Sequence, residues 1–218
     1  MSKRVAVVLA GCGFKDGAEI HEAVLVLLRL SQLGANVQCF APDVPQQDVV
    51  NHLTGNIVTS ESRNVLTEAA RIARGNIKAI TAARAEDFDA LIVPGGFGAA
   101  KNLCSFALKG SELTVQADFL RFAKAMQHAG KPIGLVCIAP VMAAAIFGKG
   151  VKATIGDDAQ TVAAINATGA VHAACAVDDI CIDRTHKLVT TPAFMLAQSS
   201  SEAFLGIAKL VDAVLDMS

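Results

Sequence analysis

Cys137 is the side chain in this sequence whose surroundings most favour a nucleophile. It follows the apolar run 133–136 and precedes a segment that is predicted to be helical as far as Phe147. The positive end of a helix dipole favours a thiolate over a thiol, so we expect the helix to lower the pKa of this cysteine. The catalytic serine of many hydrolases stands in the same strand–turn–helix context. A small buried apolar side chain is the alternative interpretation of a free cysteine here.

Two further features could complete a site around this sulfur. Gly95 and Gly96 follow the apolar run 90–93, and amides exposed in such a turn could hold a developing oxyanion. Glu19 and Glu22 lie near the start of the first predicted helix, and a carboxyl group kept protonated by burial could shuttle a proton to the thiolate. The alternatives are a tight turn for the glycines and stabilisation of the helix N-terminus for the carboxylates.

Alternating apolar runs and amphipathic segments must position these groups. The pattern predicts strands at 4–10, 37–41, 90–93, 133–136, 151–155 and 187–190, and helices at 18–33, 62–74, 114–129, 138–147 and 201–217. This alternation is typical of a doubly wound, mostly parallel α/β sheet, in which ligands bind at the carboxyl ends of the strands. We expect a single domain over residues 1–218, with 42–76 as an excursion from the basic pattern.

Composition excludes several classes of protein. Apolar residues make up 53% of the chain and charged residues 18%, and the net charge is −1, so disorder is excluded and nucleic acid is a poor candidate partner. The longest stretch without a charge, 132–148, is too short to cross a bilayer. No export signal is visible, so a cytoplasmic protein is expected. Six scattered cysteines without a CxxC pattern suggest free thiols and no metal site.

Three motifs occur in an order that resembles a known superfamily. They are GAEIHEAV at 17–24, VPGGFGAAKNL at 93–103 and VCIAP at 136–140. They resemble the PfpI/class I glutamine amidotransferase-like superfamily, whose fold is a flavodoxin-like α/β sandwich. The whole chain, with NHLTG at 51–55, SRNVL at 62–66 and TTPA at 190–193, is similar to the ElbB branch, the isoprenoid-biosynthesis proteins with an amidotransferase-like domain.

The resemblance implies a glyoxalase-type lyase that needs neither glutathione nor a cofactor and converts glyoxal to glycolate. By analogy, Cys137 forms a hemithioacetal with a small dicarbonyl or aldehyde, and Glu22 moves protons. Backbone amides at Gly95, Gly96 and Ile138 would hold the oxyanion. A homodimer is expected from the same resemblance.

Departures from the superfamily pattern limit that expectation. Neither His172 nor His186 stands two residues before a glutamate, and Ile138 follows the cysteine where the protease-like branch has histidine. Glutaminase and peptidase activities are therefore not expected, and a weak glyoxalase is. A non-catalytic redox sensor or binding protein and an amidotransferase-like accessory of isoprenoid biosynthesis are the alternatives.

Overall fold

The computed structural model describes residues 2–218, which fold around a central seven-stranded sheet with helices on both faces. Within this range the strands are β1 (Arg4–Val8), β2 (Asn36–Ala41), β3 (Ile77–Ala79), β4 (Ala90–Val93), β5 (Ile133–Val136), β6 (Lys152–Ala153), β7 (Val171–His172), β8 (Cys181–Asp183) and β9 (Leu188–Thr191). The central sheet has the order β3-β2-β1-β4-β5-β9-β8, and only β8 runs antiparallel to its neighbour among these residues. The predicted doubly wound, flavodoxin-like α/β architecture is confirmed.

The helices lie between the strands. Within residues 2–218 they are α1 (Ile20–Gln32), α2 (Val65–Ile72), α3 (Phe97–Lys101), α4 (Phe106–Lys109), α5 (Ala117–His128), α6 (Ala143–Phe147), α7 (Ala159–Ala167) and α8 (Ser200–Asp216). Of these, α1, α2, α5 and α8 correspond to predicted helices, whereas α3, α4 and α7 were not predicted. Several begin after a capping side chain: Asn64 accepts from the amide of Thr67, and Ser199 accepts from that of Glu202. Such caps satisfy amides that have no partner inside the helix.

The predicted strand at 151–155 is wrong in extent and place. Only β6 forms there, and it pairs with β7 in a separate two-stranded sheet. Side chains take two of the backbone amides in this segment, because Lys152 donates to Asp183 Oδ2 and Thr154 donates to Thr190 Oγ1. A segment whose amides bond side chains cannot extend the ladder of the central sheet.

Both faces of the sheet are buried, which explains the continuous apolar runs. In the first strand and the residues that follow it, Ala6 and Val8 pack into one core cluster and Val5, Val7 and Leu9 into the other. The first cluster includes buried residues of α5 and α6, and the second includes those of α1 and α8. Parallel strands covered on both faces lose the apolar–polar alternation of half-exposed strands. Their carboxyl ends then meet at one edge of the sheet, where the candidate site lies.

Residues 42–76 fold onto the loop that follows β1. Isolated bridges join Pro45 to Asn64 and Val50 to Ile57, and α2 closes the segment. The amide of Val50 donates to Oδ2 of the buried Asp16 at 2.7 Å. The excursion is thus tied to the edge of the sheet that carries the candidate site.

The outer surface of α1 is partly apolar. Ile20, Val24 and Leu28 are each 41–48% exposed at intervals of four residues, so their side chains form one stripe along the helix. The homodimer expected from the sequence stays a prediction.

Among residues 2–218, every helix is too short or too polar to cross a bilayer.

Candidate active site

Cys137 stands on a strained turn directly after β5. Its φ of 61° lies in the left-handed region, which costs a residue with a side chain about 1–3 kcal/mol. The amide of Cys137 donates to the carbonyl of Thr191 at 2.9 Å, so β9 fixes this conformation. The helix predicted to follow at once is wrong: residues Ala139–Met142 form a 3₁₀ turn with Pro140 near its start, and α6 begins only at Ala143. The geometry is that of a nucleophile elbow without a long helix behind it.

Glu22 reaches the sulfur from the first turn of α1. The residue is completely buried, and its side chain shares a hydrogen bond with Cys137. Its Oε2 accepts from the amide of Gly95 at 2.8 Å, and its Oε1 accepts from the amide of Phe194 at 3.3 Å. Two amides from loops after different strands therefore hold the carboxyl group against the thiol.

Gly95 and Gly96 hold the backbone close to both side chains. A Cβ at position 95 would lie 2.5 Å from Cys137 Cβ and 2.8 Å from Glu22 Oε2, so a side chain cannot fit there. The amide of Gly95 is engaged with Glu22, which corrects its expected place among the oxyanion donors. The amides of Gly96 and Ile138 hydrogen-bond the sulfur, and they are the two that remain for an oxyanion formed beside it.

The pKa values of the pair contradict the expected thiolate. Burial, the charge of Glu22 and its hydrogen bond raise the pKa of the Cys137 thiol well above its ordinary value, against the opposing effect of the Gly96 and Ile138 amides. Burial, with a smaller contribution from the charge of Glu19, raises the pKa of Glu22 to about 7. The dipole argument failed because desolvation outweighs a short helix that begins six residues after the sulfur. Near neutral pH, Cys137 is a thiol beside a carboxyl group that can accept its proton.

A cavity of about 380 Å³ opens onto the sulfur, so Cys137 is reachable although it is only 6% exposed. Its walls are mainly apolar and come from Phe14, Phe97, Phe106, Phe194, Ile138 and Met195. Glu19 and Thr161 are the polar side chains along it within the described residues. The volume lies in the range of small-molecule sites.

Comparison with known proteins shows to which family the chain belongs. A human glutamine amidotransferase-like class 1 domain-containing protein 3, mitochondrial, is 48% identical over 224 residues, which cover 99% of this chain and 83% of the relative. The mitochondrial ES1 protein homolog of Rattus norvegicus is 47% identical, over 99% and 84% of the two chains. The chain belongs to the ES1 family of amidotransferase-like proteins. No family model matches it.

A solved structure confirms the ES1-family fold and the narrower resemblance. The isoprenoid biosynthesis protein with amidotransferase-like domain from Ehrlichia chaffeensis superposes with a TM-score of 0.92 at 38% identity, over 99% of each chain. The resemblance to isoprenoid-biosynthesis amidotransferase-like proteins is therefore confirmed. Both curated ES1-family relatives carry the word mitochondrial in their names, which contradicts the cytoplasmic prediction. That prediction rested on a missing export signal, which is no positive mark of a compartment.

Glu19 is the site residue that sequence reasoning placed only on the helix. Its Oε2 accepts from the amide of Glu22 at 2.6 Å and so caps α1, while its Oε1 lies 3.3 Å from Nδ1 of His21. Both interpretations of the paired carboxylates apply, one to each: Glu19 caps the helix and also lines the cavity, and Glu22 meets the sulfur. The spacing of a capping residue and an acid three positions later was the signal available in the sequence.

Three histidines, His52, His172 and His186, bond groups other than the sulfur, while His21 lies beside Glu19 and the ring of Phe194 at the cavity wall. His172 Nε2 lies 2.9 Å from the carbonyl of Gly156, and His186 Nδ1 lies 2.8 Å from Asp183. His52 contacts the first loop, where its Nε2 accepts from the amide of Lys15. Among residues 2–218, the groups that perturb the Cys137 thiol are Glu22 and backbone amides.

Proposed function

We propose that the protein is a glutathione-independent glyoxalase, a lyase that converts glyoxal to glycolate. The observation that carries the proposal is the hydrogen bond between the Cys137 thiol and a fully buried Glu22 whose pKa is about 7, at the end of an accessible cavity. A carboxyl group with this pKa can take and return a proton near neutral pH.

The first step joins sulfur to carbon. As glyoxal approaches, the thiol proton of Cys137 passes to Glu22, and the sulfur adds to one aldehyde carbon. The electron pair of the C=O bond moves to oxygen, and the amides of Gly96 and Ile138 are placed to stabilise the oxyanion. Protonation of that oxygen by Glu22 gives the hemithioacetal and restores the carboxylate.

The second step moves hydrogen from one carbon to the other. The carboxylate of Glu22 removes the proton from the carbon bonded to sulfur and delivers it to the neighbouring carbonyl oxygen, which gives an enediol. The hydroxyl on the carbon bonded to sulfur then loses its proton to Glu22 as its oxygen becomes a carbonyl, and Glu22 passes this proton to the second carbon, which produces a thioester of glycolate. Water then adds to the thioester carbonyl, the C–S bond breaks, the sulfur regains a proton, and glycolate leaves. No external oxidant is required, because one aldehyde is oxidised while the other is reduced.

Replacement of Cys137 by serine tests the proposal. We expect the Cys137→Ser protein to stay folded and to form no glycolate, because a serine hydroxyl beside Glu22 is a far weaker nucleophile than a thiolate. Glycolate is measured by proton NMR, and folding by circular dichroism. Cys12→Ser is the matched control, because Cys12 lies in the loop after β1 and not on the cavity.

The outcome also separates the alternatives. Unchanged glycolate formation by Cys137→Ser would refute the proposal. Absence of turnover in the native protein, together with stoichiometric oxidation of Cys137 to a sulfinate by mild peroxide, would instead support the redox sensor.

A further inference from the structure

Beyond the reacting carbonyl, the cavity has little with which to bind a polar molecule. The phenylalanines at 14, 97, 106 and 194 form much of its wall. The hydroxyl of Thr161 already donates to Asp158 Oδ1 at 2.6 Å, so it has no proton to offer a ligand. Thr161 and Glu19 are the polar side chains on the described wall, and the amides at the sulfur are placed for the reacting oxygen.

The charge of the cavity disfavours anions. Glu19 lies on its wall with His21 Nδ1 at 3.3 Å from its Oε1, and the two lysines nearby are engaged with other groups. Lys101 is 2.7 Å from Asp48 and lies over the ring of Phe97, while Lys15 lies over that of Phe14. Both lysines line the neighbouring depression on the other side of these two rings. A second carboxylate or a phosphate inside the cavity would face Glu19, and no Lys, Arg or His is among the described residues that line the cavity.

Glyoxal itself leaves most of this space unused. It has only a few heavy atoms, whereas the cavity holds about 380 Å³ beside the sulfur. An apolar group attached to the reacting aldehyde would displace water from aromatic walls, which favours binding in proportion to the area covered.

We propose that the substrates of this site are uncharged 2-oxoaldehydes that carry an apolar or aromatic group, and that anionic aldehydes are excluded. The inference rests on the proposed glyoxalase function and extends it to the class of substrate. The sulfur adds to the terminal aldehyde carbon, and the hydrogen shift delivers a 2-hydroxy acid whose apolar group stays among the phenylalanines.

Turnover of three matched compounds tests the class. We expect phenylglyoxal to exceed glyoxal in kcat/KM by about 10-fold or more, a discrimination of the size that apolar pockets achieve. Adding one carboxylate to the ring, as in 4-carboxyphenylglyoxal, should remove most of that gain. Phe97→Ala should reduce the ratio of phenylglyoxal to glyoxal turnover, because Phe97 lines the cavity and belongs to neither core cluster. Leu108→Ala is the matched control, because this exposed residue lies outside the cavity, and both rates should be unchanged.

A binding measurement keeps the two proposals distinguishable. Alkylation of Cys137 by iodoacetamide is followed by mass spectrometry with benzaldehyde or benzoate present; they share a ring and differ in charge. Protection by benzaldehyde alone supports the inference even where no dicarbonyl is turned over, a result that would refute only the glyoxalase. Equal protection by benzoate, no protection by either compound, or turnover of glyoxal at least as fast as that of phenylglyoxal, would overturn the inference.

Discussion

Asp16 and Glu22 are two buried carboxylates from the same stretch of chain, yet their surroundings differ. Asp16 is 1% exposed and binds the excursion 42–76 through the amide of Val50. Its Oδ1 has no hydrogen-bond partner among residues 2–218 and lies 3.8 Å from Nε2 of His52. Glu22 is fully buried, binds two amides from loops that follow other strands, and faces a thiol at a cavity. Burial of an acid is therefore no sign of catalysis by itself. Whether a buried carboxyl group can transfer its proton depends on the group that it faces.

Replacement of each carboxylate by its amide tests the difference between Asp16 and Glu22 most directly. We expect Glu22→Gln to lower glyoxal turnover by about 10²–10⁴-fold, because an amide keeps the shape but cannot accept the thiol proton. Asp16→Asn should keep near-native turnover, since Asp16 lies outside the cavity. Steady-state rates of both variants check the prediction, and equal losses in the two would show that the carboxylates do not differ in function.

The pH dependence of stability should report the raised pKa of Glu22. Below about pH 4.5, Glu22 is protonated in both the folded and the unfolded chain. Between that pH and about 7 the unfolded chain ionises while folded Glu22 holds its proton, so rising pH favours unfolding. The contribution lost across this window is on the order of 3 kcal/mol.

Urea titrations of the native protein and of Glu22→Gln between pH 4.5 and 8 measure this effect. The native free energy of unfolding, relative to the variant, should fall across the window. A constant difference between the two proteins would mean that Glu22 ionises at its ordinary pKa.

A smaller effect is expected when Asp16 is truncated. Asp16→Ala leaves the buried amide of Val50 without its acceptor, which should lower the free energy of unfolding by about 1–3 kcal/mol. Asp16→Asn retains an oxygen at that position and should cost less. Thermal unfolding of both variants, with turnover measured below the transition, checks that the damage is to stability and not to chemistry. A lost activity in folded Asp16→Ala would contradict this division.

The fold could be predicted wherever burial leaves a continuous apolar run. Strands β4 and β5 match the prediction to the residue, because both are covered on both faces. The strands β3, β7 and β8 and the helices α3, α4 and α7 were missed, because short elements leave little pattern in the sequence. The helix after Cys137 was predicted too early, because its alanines favour a helix while Pro140 belongs to a 3₁₀ turn.

The residues of the candidate site could be predicted better than their electrostatics. Strand ends and motif positions were enough to select Cys137 and Glu22, and the structure brings them into contact. Their pKa values depend on how much solvent is removed, which no local pattern reports. The cavity wall is built by Phe97, Phe106 and Phe194, which come from three separate segments, so its apolar character appears only after folding.

The left-handed conformation of Cys137 places the sulfur on the turn at a cost in the stability of the fold. Glycine adopts this conformation freely, whereas any residue with a Cβ carries a penalty of about 1–3 kcal/mol there. Cys137→Gly should therefore have a higher Tm than Cys137→Ala, although alanine usually gives the more stable protein of the two. A protein that keeps Cys137 on this turn is therefore less stable than one with glycine there. Selection for thermal stability alone would be expected to remove the cysteine.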